Sequence, residues 1–473
     1  MMQEEFEKFY RPLEDDAFTR KHWSEEVFAF TETYLQELKS TRAYEKPDAD
    51  FGVGFGFTMP EKGQTIESAL EWIKSKVVLP GIKPASGRHL GYVPGGGVFA
   101  AALGDFIADV TNSYAGIYYA SPGAVKLENE LIRWMIGLAG YPKDACGHLA
   151  SGGSLANLTA LVAARDHLNL LDFAPQTVCI YLTNHVHHCV HKAMRICGLG
   201  RAVVRIVDMD ERFRMNTEHL EQLILEDKAN SFVPSIVVGS LGTTDAGAID
   251  PIATISQICK KHALWFHVDG AYGGAFLLLD TLKEQMKGVS ESDSFVLDPH
   301  KGFFLPYGTG AVIIRHTDSV LKSHYYQASY MQDAYQIPEE LSPADISPEL
   351  TKHFRGLRMW LPFYLYGVGA FRDTLEEKLS LANWFYHEIK ALGFITVGPP
   401  DLSILLYRLS DDIKNKTILE YIHDHAPVFI SSTSIQGQLW LRAAFMSFRT
   451  HREQVQELLD SIKIALSNLV EKK

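Results

Sequence analysis

Cysteine is scarce in this chain. There are five in 473 residues, an odd number with no Cys-x-x-Cys spacing. That argues against a disulfide framework or a zinc ribbon and fits a reducing, cytoplasmic setting. Positive charge is also short: 45 Lys plus Arg face 57 Asp plus Glu, for a formal charge of −12. Nucleic acids and anionic membranes are bound by clustered positive charge, so neither is an expected partner. No uncharged apolar run approaches transmembrane length. The acidic start, MMQEEFEKFYRPLEDD, lacks the apolar core of a signal peptide. Internal repeats and low-complexity tracts are missing as well.

What is present is a globular composition, 46% hydrophobic, in a chain long enough for one large core and a smaller one. Residues 1–80 read as a helical arm. WSEEVFAFTETYLQELKS and TIESALEWIKSKVV have amphipathic spacing, with the Gly/Pro/Asp-rich EKPDADFGVGFG between them. Such an arm cannot bury much alone, so it is expected to pack on another surface or subunit. Residues 81–377 are expected to form an α/β domain. There, β-branched runs (TVCIYLT, AVVRIV, SIVVGS, LWFHVD, AVIIR) alternate with helical stretches (LANLTALVAARDHL, NTEHLEQLILED, PIATISQICKKH). That alternation predicts a mostly parallel sheet with its chemistry at the carboxyl ends of the strands. Residues 378–473 alternate helix and strand in a pattern suited to a small α+β domain.

Four segments carry possible chemistry. HLASGGSLANLTALVAAR (148–165) runs Ser-Gly-Gly-Ser into a helix, a start that suits a phosphate or is simply a capped turn. LWFHVDGAYGG ends an apolar strand in Asp269, which is either functional or firmly hydrogen-bonded. SFVLDPHKGFFLPYGTG places Lys301 among apolar residues. Burial there should disfavour the charged form and leave the neutral amine that Schiff-base chemistry needs, unless the side chain reaches solvent. GSLGTTDAGAID offers Thr243 and Thr244 as ligands or as caps. A phosphate cradle, a strand-end acid and then a lysine, in that order, are the parts that hold pyridoxal phosphate.

With HVDGAYGG, DPHKG, SPGAVKLENELIRWM, ELTKHFRGLRMW and LRAAFMSFRT, the chain resembles the group II pyridoxal-phosphate-dependent decarboxylases over nearly its whole length, most of all the aromatic-L-amino-acid branch. The resemblance implies the fold of the PLP-dependent transferases (aspartate aminotransferase-like, fold type I). It also implies decarboxylation of an L-amino acid to the amine, with an active site at the boundary of a homodimer. By that resemblance Lys301 is the Schiff-base lysine and Asp269 pairs with the ring nitrogen. Ala271 packs on one face of the ring, and Gly153 and Ser154 bind the phosphate with His300 nearby. Thr243 or Thr244 approaches the ring oxygen or the aspartate.

The run NHVHHCVHKA holds His185, His187, His188 and His191. The resemblance makes His187 the histidine that stacks on the ring. The i, i+4 spacing puts His187 and His191 on one helical face, but no acidic residue occurs between 173 and 207 to support a metal. No metal is expected, and His185, His188 and His191 read as structural or surface residues. In the family's loop a tyrosine protonates the carbanion. Tyr330 is the best match here, with Tyr325 and Tyr326 as rivals, and a tyrosine favours amine over aldehyde. Leu90, Tyr118 and Tyr119 are expected on the substrate side.

The chain also departs from the family. Asp298 and Gly302 stand where animal members have asparagine and tryptophan. The competing expectations are a decarboxylase of glutamate or a diamino acid, with Arg355 or Arg442 as the cation for a side-chain carboxylate, an aldehyde-forming relative, and a non-catalytic binding protein.

Overall fold

The computed structural model describes residues 13–47, 51–52, 55–56, 58–325 and 340–471. Its centre is a seven-stranded sheet of β1 (Cys146–Ala150), β2 (Val178–Leu182), β3 (Val203–Ile206), β4 (Val233–Ser240), β5 (Trp265–Asp269), β6 (Ser294–Leu297) and β7 (Gly310–Ile314), in the order β1-β7-β6-β5-β4-β2-β3. Strands β3, β2, β4, β5 and β6 are parallel neighbours. Strand β7 runs antiparallel to both β1 and β6. It therefore starts where its two neighbours end.

The expected strands form because short β-branched runs can be buried on both faces of a parallel sheet. Side-chain alternation splits them between two cores. Val237 and Phe266 join Leu131 and Ile255 on one face. Ile236, Val238 and Trp265 join Val190 and Met194 on the other. Helix α5 (Gly153–His167) lies over this second face through Ala156, Ala160, Ala163 and Ala164. These small side chains let the helix start sit close to the strand ends. The preceding helices are α1 (Ala17–Glu37), α2 (Ile66–Ile73), α3 (Phe99–Thr111) and α4 (Pro122–Ala139).

Helix α1 is capped by Asp16, which accepts from the backbone N–H of Thr19, and no residue in it is fully buried. Phe18 is 80% exposed, and Trp23, Val27 and Phe28 are also at the surface.

After β2 come α6 (His188–Ile196), α7 (Thr217–Ala229) and α8 (Ile252–His262), and after β7 comes α9 (Thr317–His324). The segment α10 (Gly356–Ala391) leads to the small domain, and the boundary expected at 377–378 falls inside it. Gly367 leaves the helical region (φ 74°, ψ 157°), so α10 is two helices meeting at a glycine. The small domain has an antiparallel sheet of β8 (Ile395–Thr396), β9 (Ile404–Arg408), β10 (Ser431–Ile435) and β11 (Gln438–Ala444), in the order β8-β9-β11-β10. Helices α11 (Asp412–His425) and α12 (Arg452–Glu471) cover it over a core that includes Phe385, Tyr407, Ile418, Phe445 and Leu458. Among the described residues, no helix is long and apolar enough to cross a membrane.

Candidate active site

A cavity of about 360 Å³ opens at the carboxyl ends of the strands, where open α/β sheets place their ligands. It brings together Gly153, Ser154, His187, Thr243, Thr244, Asp269, Ala271, His300 and Lys301 from segments far apart in sequence.

Asp269 closes β5 and is almost wholly buried. Its Oδ1 accepts from the backbone N–H of Ala271 at 3.1 Å and its Oδ2 from Nδ2 of Asn157 at 3.4 Å. Asn157 also donates to the carbonyl of Gly153 at 2.9 Å, which fixes the amide orientation and leaves its Oδ1 to accept from Nε2 of His267 at 2.6 Å. Burial pushes His267 down to about 4, so the ring is neutral and carries its one proton on Nε2. Ser294 then donates to Nδ1 of His267 at 2.8 Å and accepts from Trp265 Nε1 at 2.9 Å. Every donor in this chain points toward Asp269.

Helix α5 begins at the cavity. Gly152 O takes the N–H groups of Leu155 and Ala156, leaving those of Gly153 and Ser154 at the helix start. No side chain caps this end. A Cβ on Gly153 would lie 2.8 Å from Oδ2 of Asp298 and 3.2 Å from the Ala271 Cβ, so a side chain there would close the gap that brings these groups together. His300 lies on the one-turn helix Pro299–Gly302 and is held by a bond from Nδ1 to the carbonyl of Thr309 at 2.6 Å.

Lys301 corrects the expectation drawn from its apolar neighbours. Burial does oppose the ammonium, but Asp298, with Oδ2 at 2.9 Å from Nζ, outweighs it with help from Asp269. Lys301 therefore titrates above the ordinary lysine range and is held protonated.

His187 is the N-cap of α6 in extended conformation, with Nδ1 accepting from the backbone N–H of Cys189 at 3.3 Å. Because residue 187 lies outside the helix, it does not share a helical face with His191. His187 lines the cavity while His188 and His191 are exposed. Burial lowers the His187 pKa below the ordinary histidine value. His185 is buried and lines the cavity too, which its reading as a structural or surface residue did not anticipate. Among the described residues, three possible metal ligands converge only at His22, Glu26 and Glu67, on the surface and away from this run.

Of the two threonines, Thr243 is committed to its own turn: its hydroxyl accepts from Ala248 N–H at 3.2 Å. Thr244 is exposed at the cavity wall. Leu90 does not line the cavity. The neighbouring bridge of His89 to Phe429, and the bond from Leu90 N–H to Phe429 O, draw it into the small-domain core. Tyr118 is half-buried and Tyr119 is 55% exposed, and neither lines the cavity within one chain. Tyr330 and Tyr326 lie outside the described residues; Tyr325 is half-exposed at the end of α9.

Arg355 is taken by Glu349 through two bonds of 2.9 Å. Arg442 donates to the carbonyls of Gly91, Thr244 and Asp245. The cavity lining contains no arginine among the described residues. Lining residues the sequence reading missed are Asn157, Cys189, Ser240 and Tyr272. Asn157 was within reach, since it lies one helical turn past Gly153 on the same face. Burial pushes the Cys189 thiol up to about 12, which disfavours its thiolate. Tyr272 ties the site to the small domain, accepting from the Ser403 N–H at 2.9 Å and sharing a 2.7 Å hydroxyl contact with Ser403 Oγ.

The residues present fit pyridoxal phosphate. A helix start with leftover N–H groups and a serine suits the phosphate, a buried carboxylate faces the cavity, and a lysine stands among them. The lack of a side chain on Gly153 lets the helix start approach Asp298 and Ala271.

Residues 54–398 match the model of the pyridoxal-dependent decarboxylase conserved domain. The aromatic-L-amino-acid decarboxylase of Bacillus atrophaeus is 28% identical over 442 residues, covering 91% of this chain and 92% of that protein. The cysteine sulfinic acid decarboxylase of Mus musculus is 29% identical over 354 residues, 72% of this chain and 71% of that protein. The fold matches a crystal structure of Oryza sativa TDC with PLP and tryptamine at a TM-score of 0.91 and 21% identity, over 98% of this chain and all of that one.

Proposed function

The chain belongs to the pyridoxal-dependent decarboxylases, and we propose that the L-amino acid it decarboxylates to the amine and CO2 carries an aromatic side chain. The observation that carries the substrate class is the lining: among the described residues no arginine stands ready for a side-chain carboxylate, and both arginines considered for that task are engaged elsewhere. The similarity to the Bacillus aromatic-L-amino-acid decarboxylase supports the same class.

Pyridoxal phosphate supplies the electron sink that makes loss of CO2 feasible. In this reading Lys301 carries the cofactor covalently and Asp269 holds a proton on the ring nitrogen. Gly153 and Ser154, with His300 nearby, bind the phosphate. His187 and Ala271, both on the cavity wall, would flank the ring. Thr244, the threonine whose hydroxyl is not spent on its own turn, approaches the cofactor. Tyr330 or His187 returns the proton after CO2 departs, a contribution on the order of 10²–10⁴-fold for a placed general acid.

The working unit is proposed to be a homodimer. Phe99, Phe106, Ile107 and Val110 on α3 and Tyr364, Leu365 and Tyr366 on α10 expose apolar surface, and α3 and α10 pack against each other. The uncovered apolar residues of α1 support the same assembly. In it Tyr118 and Tyr119 would complete the substrate side from across the boundary. All five cysteines are free and buried, which supports a cytoplasmic setting.

Incubating the cofactor-loaded protein with a panel of L-amino acids, followed by mass spectrometry, tests the reading. An aromatic amine is expected. An amine from an acidic or diamino substrate overturns the substrate class, an aldehyde overturns the role given to Tyr330, and no product overturns the reaction.

A further inference from the structure

Among the described residues, Asp298 is the one carboxylate in contact with the Lys301 amine. It is 2% exposed, its Oδ2 lies 2.9 Å from Lys301 Nζ, and its Oδ1 is buried with no hydrogen-bond partner. His300 Nε2 is 3.7 Å away, too far for a hydrogen bond. The carboxylate sits in a slot made by two glycines from different elements. A Cβ on Gly153 would come within 2.8 Å of Oδ2, and one on Gly310 within 2.8 Å of Oδ1. The Asp298 backbone N–H donates to the Ala271 carbonyl at 3.2 Å, which anchors the slot to the segment after Asp269.

The other titratable groups lining the cavity are His185, His187, Cys189, Asp269, Tyr272 and His300. Asp269 is held by Asn157 and Ala271. Burial keeps the three histidines weakly basic and the Cys189 and Tyr272 protons in place. None of them is placed to exchange a proton with Nζ as directly as Asp298.

We propose that Asp298 is a catalytic acid–base for Lys301, taking one proton from Nζ before the amine adds to a carbonyl carbon and returning it when the lysine is released. The N–H bond breaks with its electron pair staying on nitrogen, and an O–H bond forms on Oδ2. The ammonium–carboxylate pair becomes an amine–acid pair. Its net charge is zero in both states, so the exchange leaves no net charge buried in a site where that would be costly. The proposal rests on Lys301 being the cofactor-bearing lysine.

The test compares wild type with Asp298→Asn. The pH dependence of acetic anhydride labelling of Lys301 is read by peptide mass spectrometry in apoprotein, and the rate of pyridoxal phosphate uptake is read by absorbance at pH 7. Without the carboxylate, labelling should move to lower pH by about one unit or more. If Asp298 acted only through its charge, the larger neutral fraction of Lys301 would speed uptake. An acid–base role instead predicts uptake slowed at least about 10-fold. An unshifted labelling profile, or uptake unchanged or faster, overturns the proposal.

Asp298→Ala is the second variant should the asparagine protein not fold. Added formate should restore its uptake rate, and failure to do so counts against the proposal. Borohydride reduction of the wild-type holoprotein separates the two failures. Cofactor fixed on another residue overturns the Lys301 reading and this proposal with it, while cofactor on Lys301 with an indifferent Asp298 variant overturns this proposal alone.

Discussion

His267 donates from Nε2 to Oδ1 of Asn157 across 2.6 Å, and the nitrogen of the same amide reaches Asp269. A buried ring two residues upstream of the aspartate on the same strand is thus wired to that aspartate through a helix on the sheet's face. Replacing Asn157 with Ala removes a donor to Asp269 and leaves the His267 Nε2–H without an acceptor. The expected cost is about 1–3 kcal/mol of stability for the unpaired buried donor, together with faster loss of pyridoxal phosphate. Denaturant unfolding of apoprotein and spectroscopic cofactor release of holoprotein measure the two effects. An Asn157→Ala protein equal to wild type in both would remove the wire from the account.

Gly153→Ala places a methyl 2.8 Å from Asp298 Oδ2 and 3.2 Å from the Ala271 Cβ. Both neighbours are short side chains with little room to yield. A displacement on the order of 1 Å is expected to lower kcat/KM by about 10²-fold, with little change in apoprotein stability. Steady-state kinetics and thermal unfolding of the apoprotein check the contrast. Near-normal kinetics would mean the slot is looser than its geometry.

Glu128 and Lys352 form an ion pair with both side chains fully buried, and Glu128 Oε1 also accepts from the Leu149 N–H at 2.9 Å. Glu128→Gln leaves a cation in the core and should cost about 3–5 kcal/mol. The double variant Glu128→Leu with Lys352→Met should cost distinctly less, because neither charge is left behind. Chemical unfolding of the single and double variants measures this, and equal losses would contradict it.

Glu340 gives a pH prediction. Burial alone would raise its carboxyl, but Lys126, Arg133 and Asn129 more than offset this and pull it down to about 2. A carboxylate depressed on folding stabilises fully above its ordinary value of 4.5, and the contribution fades as pH falls toward 2. Glu340→Gln should lower stability by on the order of 1 kcal/mol at neutral pH, since its partners are partly exposed. It should also flatten the pH dependence between those limits, as read by urea unfolding across the range.

The strand-end position of Asp269 was legible because a short apolar run that stops at a charged residue marks where a buried strand meets a cavity, and the run ending at Asp298 marked in the same way the strand that precedes the one-turn helix of Lys301. The glycines of SGGS mark a close approach, since a side chain on Gly153 would meet Asp298 and Ala271 where the helix begins. The ionisation of Lys301 was not legible. Its apolar neighbours are adjacent in sequence, but the group that decides its charge is the carboxylate three residues earlier, folded back onto it by a single helical turn. Leu90 was misread because the glycine-rich stretch after it resembles a loop, whereas pairing with Phe429 buries it. The shared helical face expected of His187 and His191 does not form because the helix begins one residue after His187, while His191 itself is at the surface. The hydrogen-bond wire through His267 joins a strand to a helix more than a hundred residues away, and no local pattern encodes it. Tyr330 was placed by family resemblance alone.

The reversed strand β7 has a consequence for how the pocket is assembled. Its first residues, Gly310 and Ala311, pair with Ala150 on one side and Leu297 on the other, so the Ser-Gly-Gly-Ser turn and the lysine turn flank the start of one strand. Pairing β6 with β7 closes a short hairpin and can happen early in folding. Pairing β1 with β7 joins segments separated by most of the large domain, a slow, high-contact-order event. That edge pairing sets the Ser-Gly-Gly-Ser turn beside the lysine turn, so recovery of pyridoxal phosphate binding during refolding is expected to lag behind recovery of secondary structure, and stopped-flow cofactor absorbance against far-UV circular dichroism measures the lag.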